Sequence, residues 1–207
     1  PPAAYATMRD AIARTGRPML FSICEWGDNK PWEWAKDVGH AWRTTGDIYP
    51  CWNCEHSHGS WSSLGVLPIL DKQAGLRRYA GPGHWNDMDM LEVGNGMSED
   101  EDRAHFSLWA MLASPLIAGN DLRTMSEATR RILTHRDMIA IHQDALGIQA
   151  MKWLDEGDIE VYVKPLERGE YAVLLLNRGD LARDHRLDWS FHEMKDDLSG
   201  RGIDFGR

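Results

Sequence analysis

Basic residues are scarce in this 207-residue chain: 23 Lys and Arg stand against 32 Asp and Glu, for a net charge of −9. Nucleic-acid binding needs a basic patch, so that class of partner is excluded and a neutral or polar small molecule fits better. Long apolar runs are missing as well, and none approaches the roughly 18 residues that a membrane span needs. No charged-then-apolar leader is present, and "PPAAYATMRD" opens without Met, as though a helix were already under way. Cysteine is nearly absent: three residues, an odd number and too few for a disulfide framework. What is present, 43% hydrophobic and 27% charged residues, excludes a disordered chain. Tryptophan is the anomaly, with ten residues, most of them before residue 110.

Helical spacing of Tyr5, Met8, Ile12 and Ala13 predicts a helix over 4–15, stopped by Gly16 and Pro18. "PMLFSIC" is the apolar run of a buried strand. "KPWEWAKDVGHAWRT" reads as a helix with Trp34, Val38 and Trp42 on one face, followed by a very short strand, "TGDIY". Residues 60–80 read as helical with a kink or break at Pro68, and "HWNDMDMLEV" as a strand. "SEDEDRAHFSLWAMLA" is a helix capped by Ser98, with Glu101 three residues on. "SPLIAGNDL" reads as a further strand and "SEATRRILTHRDMIAIHQD" as a further helix. This alternation predicts an α/β protein with a parallel sheet. Polar residues gather where strands end, at Glu25, Trp26, Asp47, Asp87, Asp89, Asn120 and Asp121. Both (β/α)8 barrels and doubly wound sheets keep their ligands at such ends. Beyond about residue 148, "DIEVYVKPL" and "EYAVLLLNRG" predict a hairpin, with "HRLDWSFHEM" as a third strand. The expected division is 1–148, the C-terminal half of a barrel, and 149–207, the start of a small antiparallel β domain.

A single aspartate at a strand end reads first as a cap or turn former, and Asp121 fits that reading. Trp34, Trp42 and Trp109, at helical spacing, read as core. Asp87 and Asp89 differ, because alternation sends both to one side along with Trp85. A buried carboxylate pair needs hydrogen-bond partners, which a polyhydroxyl ligand supplies. Arg43 and Asp47 flank Thr44, Thr45 and Gly46, so Asp47 reads as the start of a strand rather than half of a helical ion pair. A rival site lies in "YPCWNCEHSHGSW": Cys51, Cys54, His56 and His58 have zinc-ligand chemistry, although a Cys-x-x-Cys disulfide is drawn as easily.

Three segments carry a resemblance: "CEWGDNKPWEWAKDVGHAWRTTGDI", "AGPGHWNDMDMLEVGN", and "SPLIAGNDLRTM" with "MIAIHQD". In order and spacing they resemble the melibiase-type α-galactosidases, glycoside hydrolase family 27. The likeness implies a (β/α)8 TIM barrel followed by an antiparallel β domain, with the matched segments as strands five to eight of a fragment. It implies that Asp47 is the general acid/base and that Arg43 helps hold the sugar near its 2-hydroxyl. Cys24, Glu25 and Trp26 would line the same side of the −1 subsite, Asp89 would hold the glycone, and Asp87 would be structural. Met88 stands where the family usually has Pro. The family's nucleophile, an Asp in a Lys-Tyr-Asp motif, has no counterpart in these residues. A retaining glycosidase needs two carboxyls about 5–5.5 Å apart, so the isolated chain is expected to be inactive. The implied function is removal of terminal α-D-galactosyl residues by double displacement, on small galactosides, without cofactor or metal. That substrate class implies a periplasmic or secreted home. Alternatives within the family are α-N-acetylgalactosaminidase and β-L-arabinopyranosidase, the former disfavoured by the bulk of Glu25 and Trp26. Outside it stand a Cys/His metal-binding or redox module and a non-catalytic sugar-binding half-barrel.

Overall fold

The computed structural model describes residues 2–187 and 193–204. Helix α1 (Pro2–Arg14) precedes β1 (Ser22–Ile23) and β2 (Ala41–Arg43), which pair in parallel. A hairpin of β3 (Glu55–Ser57) and β4 (Ser62–Leu64) intervenes, α2 (Val66–Asp71) follows, and β5 (Trp85–Asp87) joins β2 in parallel. An isolated parallel bridge from Leu91 to Ala118 marks the next strand position. The register sets Ile23 beside Trp42, and Arg43 beside Asp87. The strands therefore end together and release Cys24–Trp26, Thr44–Asp47 and Met88–Asp89 at one mouth.

Helix α3 (Glu99–Met111) forms as its sequence predicts. The Ser98 side chain accepts from the Glu101 amide, and the Glu101 carboxylate accepts from the Ser98 amide. It packs against α4 (Glu127–Leu133), α5 (Arg136–His142) and the following sheet. That sheet is antiparallel, β6 (Met151–Asp155), β7 (Ile159–Pro165) and β8 (Tyr171–Asn177) in that order, and β9 (Glu193–Lys195) pairs with β10 (Gly202–Asp204) nearby. One apolar core runs from α2 through α3 into this sheet, joining Leu67, Trp109, Ile132, Tyr162 and Leu176.

Several local expectations are corrected. Residues 30–44 are not a helix but two 3-10 turns, Pro31–Glu33 and Ala35–Asp37, followed by β2. Asn29 and Lys30 adopt positive φ of 55° and 47°, which no α-helix continues. The periodic Trp34, Val38 and Trp42 instead wrap one cluster with Ile23 and Tyr5. Asp47 consequently lies past the strand that carries Arg43, and the short strand expected after it is reduced to a single parallel bridge, Ile48 to Leu64. Residues 60–80 split into β4, α2 and a 3-10 turn, with Pro68 in the first turn of α2, where its missing N–H leaves no helical bond unmade. The stretch 84–93 is a strand only as far as Asp87, and 114–122 contributes the bridge alone. Residues 126–144 form two helices, separately capped by Ser126 and His135. Strand β6 has no counterpart in the sequence reading. Half of the predicted strand at 185–194 falls on residues outside those described, and its end, Glu193 and Met194, lies in β9.

Candidate active site

Arg43 ends β2 with only 9% of its surface exposed. Its Nη2 lies 2.7 Å from Asp89 Oδ2 and 3.3 Å from Asp47 Oδ1, and it donates to the carbonyls of Thr45 (3.2 Å) and Gly46 (2.8 Å). One guanidinium thus draws two carboxylates from different loops to the same point. Its tie to Asp89 is the shorter, yet it also touches Asp47. A buried charge needs such pairing, and Asp47 keeps 38% side-chain exposure, which leaves it accessible from the mouth.

Asp89 is held on every side. Its Oδ2 also accepts from the Ile48 amide (2.8 Å), its Oδ1 from Met90 N–H (2.8 Å), and its carbonyl from Trp109 Nε1 (2.8 Å). Its backbone sits at φ 83°, in the left-handed region. Asp87, buried, accepts the Asp89 amide on Oδ1 (2.9 Å) and so anchors that turn. Burial pushes the Asp87 carboxyl above its ordinary value, while the Asp89 amide and Arg43 oppose the rise.

Opposite stands the loop after β1. Trp26 adopts φ 54°, unusual for so bulky a side chain and a mark of local strain at functional sites. Next to it Gly27 donates to the Arg43 carbonyl (3.1 Å), and a Cβ there would meet the Thr44 oxygen at 2.2 Å, so only glycine fits. This contact holds the backbone that follows Trp26 against that of Arg43 and Thr44. Cys24 is a free, exposed thiol close enough to feel Arg43, Asp47 and Asp89; burial raises its pKa, with the carboxylates adding to the rise and Arg43 opposing. Glu25 turns elsewhere. Its carboxylate accepts from Asn29 Nδ2 (2.8 Å) and neighbours the hydroxyl of Tyr5, whose pKa is pushed up to about 12 by burial and then by Glu25. Tyr5 in turn donates to the Cys24 carbonyl (3.0 Å). Arg43 therefore contacts both Asp47 and Asp89, with Cys24 within electrostatic reach of them, while Trp26 packs on Trp61 and Glu25 braces the loop through Asn29.

The Cys/His tract is not a metal site. Cys51 and Cys54 are joined in a disulfide, which removes the two thiolates that zinc would require. His56 and His58 instead enter a row of stacked rings with Tyr49 and Trp61. The sequence reading missed this row, and it missed the positive φ of Trp26 and Asp89. The glycine directly after Trp26 was the available signal.

Comparison with known proteins places the chain among α-galactosidase relatives. The family profile described as alpha galactosidase A matches residues 2–144, and the profile of the alpha galactosidase C-terminal beta sandwich domain matches residues 156–203. Alpha-galactosidase A of Cellvibrio japonicus is 78% identical over all of this chain and 51% of its own length. Alpha-galactosidase I from Mortierella vinacea superposes with a TM-score of 0.85 at 32% identity, covering 98% of this chain and 57% of that one. An α-galactosidase from Saccharomyces cerevisiae, solved with raffinose, superposes at 0.78 with 33% identity over 85% of this chain and 44% of its own. The chain spans about half the length of the curated relatives it matches.

Proposed function

The chain belongs to the melibiase-type α-galactosidases, glycoside hydrolase family 27, and from that premise we propose that it carries the acid/base side of a retaining α-galactosidase site. The substrate is a terminal α-D-galactosyl unit on a small galactoside. The observation that carries this reading is Arg43 Nη2, which joins Asp47 and Asp89 within electrostatic reach of Cys24.

Asp47 is the acid/base. In the first step it protonates the glycosidic oxygen while a second carboxylate attacks the anomeric carbon from the opposite face. In the second step Asp47 takes a proton from water, which then displaces that carboxylate with net retention. Asp47 suits the role because one oxygen is oriented by Arg43 while the side chain stays open to the mouth. Asp89 does not suit the nucleophile's role. Both its oxygens are engaged, by Met90 N–H on one and by Arg43 and Ile48 N–H on the other. Asp89 with Arg43 instead binds the glycone hydroxyls, Cys24 lines the same side, and Trp26 offers a flat face to the ring's C–H surface. Glu25 shapes the Cys24–Trp26 loop through Tyr5 and Asn29. The bulk of Trp26 favours galactose over its 2-acetamido analogue.

The test joins this chain to the remaining half of the Cellvibrio japonicus relative and compares Asp47→Ala with the parent. Turnover of a galactoside with a poor leaving group should fall about 10²–10⁴-fold. On an activated aryl galactoside, added azide should restore turnover and yield α-galactosyl azide, since the glycosyl–enzyme ester can still be attacked without a base. A parent chimera that cleaves α-galactosides equally well with Ala at position 47 would sink the assignment.

A further inference from the structure

Most of what holds Asp89 comes from strand ends and their loops, but one support comes from helix α3. Trp109 is fully buried there, and its Nε1 donates to the Asp89 carbonyl (2.8 Å). That carbonyl shares a rigid peptide plane with the Met90 N–H, and the Met90 N–H donates to Asp89 Oδ1 (2.8 Å). Trp109 therefore grips one end of a plane whose other end aims the carboxylate. If the plane swings, Oδ1 loses its donor and Oδ2 is drawn off Arg43 and the Ile48 amide. The plane is poised to swing. Asp89 stands at φ 83°, a left-handed backbone that persists only where its surroundings over-determine it.

Four residues earlier on the same face of α3, His105 reaches the far end of that loop. It too is fully buried, its Nε2 accepts from the Glu92 amide (3.0 Å), and its ring meets Trp109 at 4.0 Å and 85°. With Nε2 accepting, the ring proton sits on Nδ1, which finds no partner among the described residues. A buried, unpaired donor is costly, and an apolar ring would avoid it, so core packing does not account for His105. Its grip on Glu92 does, because the two rings then pin both ends of the turn 89–92. We propose that Trp109, backed by His105, is a positioning residue of the galactose subsite, setting the Asp89 carboxylate against Arg43 from α3. This rests on the galactosidase reading, in which Asp89 and Arg43 hold the glycone hydroxyls. The acid/base is spared. Arg43 keeps its ties to Asp47 and to the carbonyls of Thr45 and Gly46 whichever way Asp89 turns. The role is therefore one of sugar affinity, not of proton transfer.

The test uses the chimera with the Cellvibrio japonicus half and an aryl α-galactoside. Trp109→Phe, which keeps a buried ring but no N–H, should raise both KM and the inhibition constant of galactose about tenfold, with kcat within about threefold. His105→Phe should act in the same direction, and His105→Gln, whose amide oxygen can still accept from Glu92, should recover most of that loss. A fall in kcat with KM and galactose inhibition unchanged would mean that the rings only maintain the folded fraction. Unchanged constants throughout would mean that the peptide plane holds itself; each result overturns the proposal. Should Trp109→Phe fail to fold, the His105 pair decides, and equal KM values for its two variants refute the clamp. A parent chimera inert toward α-galactosides counts against the galactosidase reading, and hydrogen exchange of this chain then decides the clamp alone. Trp109→Phe should speed exchange of the Met90 and Ile48 amides about tenfold relative to those of β7; a uniform change, or none, refutes it.

Discussion

Cys24 stands among three carboxylates and one guanidinium, and its thiol reflects that company. Burial raises its pKa, Asp47, Asp89 and Asp87 push the same way, and Arg43 pulls back without prevailing. Only the thiolate is a competent nucleophile, so a raised pKa means little reactive form at neutral pH despite the residue's exposure. Iodoacetamide should accordingly modify Cys24 more slowly than an unstructured cysteine peptide at pH 7, with the rate rising as the pH is made more alkaline, as followed by mass spectrometry of the alkylated peptide. Labelling at pH 7 as fast as that of an unstructured cysteine peptide would contradict the balance of charges described here. The same residues show how far side-chain identity could be read. Arg43, Asp47 and Asp89 are polar groups at strand ends and were visible as such. The left-handed backbone at Trp26 and Asp89 was not, because φ is imposed by tertiary contacts such as that of Gly27 with Thr44.

Among the elements, α3 was the most legible because every signal agreed: a Ser98 cap, Glu101 at the matching position and acidic residues in the first turn. The stretch 30–44 was the least legible, since apolar spacing alone cannot distinguish a helix from turns that wrap one cluster. Helix α3 also contains a pH-sensitive member. His105 is fully buried, its Nε2 accepts from the Glu92 amide (3.0 Å), and its edge meets Trp109 at 4.0 Å. Desolvation lowers its pKa from 6.5 to about 3. As pH falls below 6.5 the unfolded chain takes up the proton and the folded one does not, so this residue's contribution is complete at neutral pH and drains away toward pH 3. Glu92 and Asp102, raised by burial, act in the opposite sense, because the folded state takes up their protons more readily. The His105 part is isolated by difference. In urea titrations from pH 7 to 4, His105→Gln, whose amide oxygen can still accept from Glu92, should start less stable but lose less stability than the parent on acidification. Parallel curves for the two proteins would show that His105 does not titrate in this way.

For the whole molecule, the question is what holds the antiparallel sheet to the helical part. Apolar packing of α3 on β7 and β8 supplies area, and two arginines add polar clamps: Arg77, which pairs with Asp196 and Asp197, and Arg178. Its guanidinium grips Asp71 of α2 in a bidentate pair, at 2.7 and 2.8 Å, and reaches Glu160 of β7 at 2.9 Å. Glu160 is only 2% exposed and also accepts from Lys152 and from the Tyr162 hydroxyl. Two cations thus share one buried carboxylate, and geometry separates their worth. Arg178, with 19% side-chain exposure, joins two parts of the fold through a planar fork, whereas Lys152, at 36%, binds within the sheet as a flexible point charge. Breaking a buried pair leaves a charge uncompensated, which costs several kcal/mol when burial is complete. Partial exposure at Arg178 and the remaining partners of Glu160 reduce that. Arg178→Met should therefore lower unfolding stability by about 2 kcal/mol, and Lys152→Met by less than about 1 kcal/mol, with unchanged denaturant slopes. Arg178→Lys should recover under half of the loss, since an ammonium cannot span Asp71 and Glu160 together. If Lys152→Met proves as damaging as Arg178→Met, the sheet is anchored from within by its own ion pair, and Arg178 adds no clamp between the two parts.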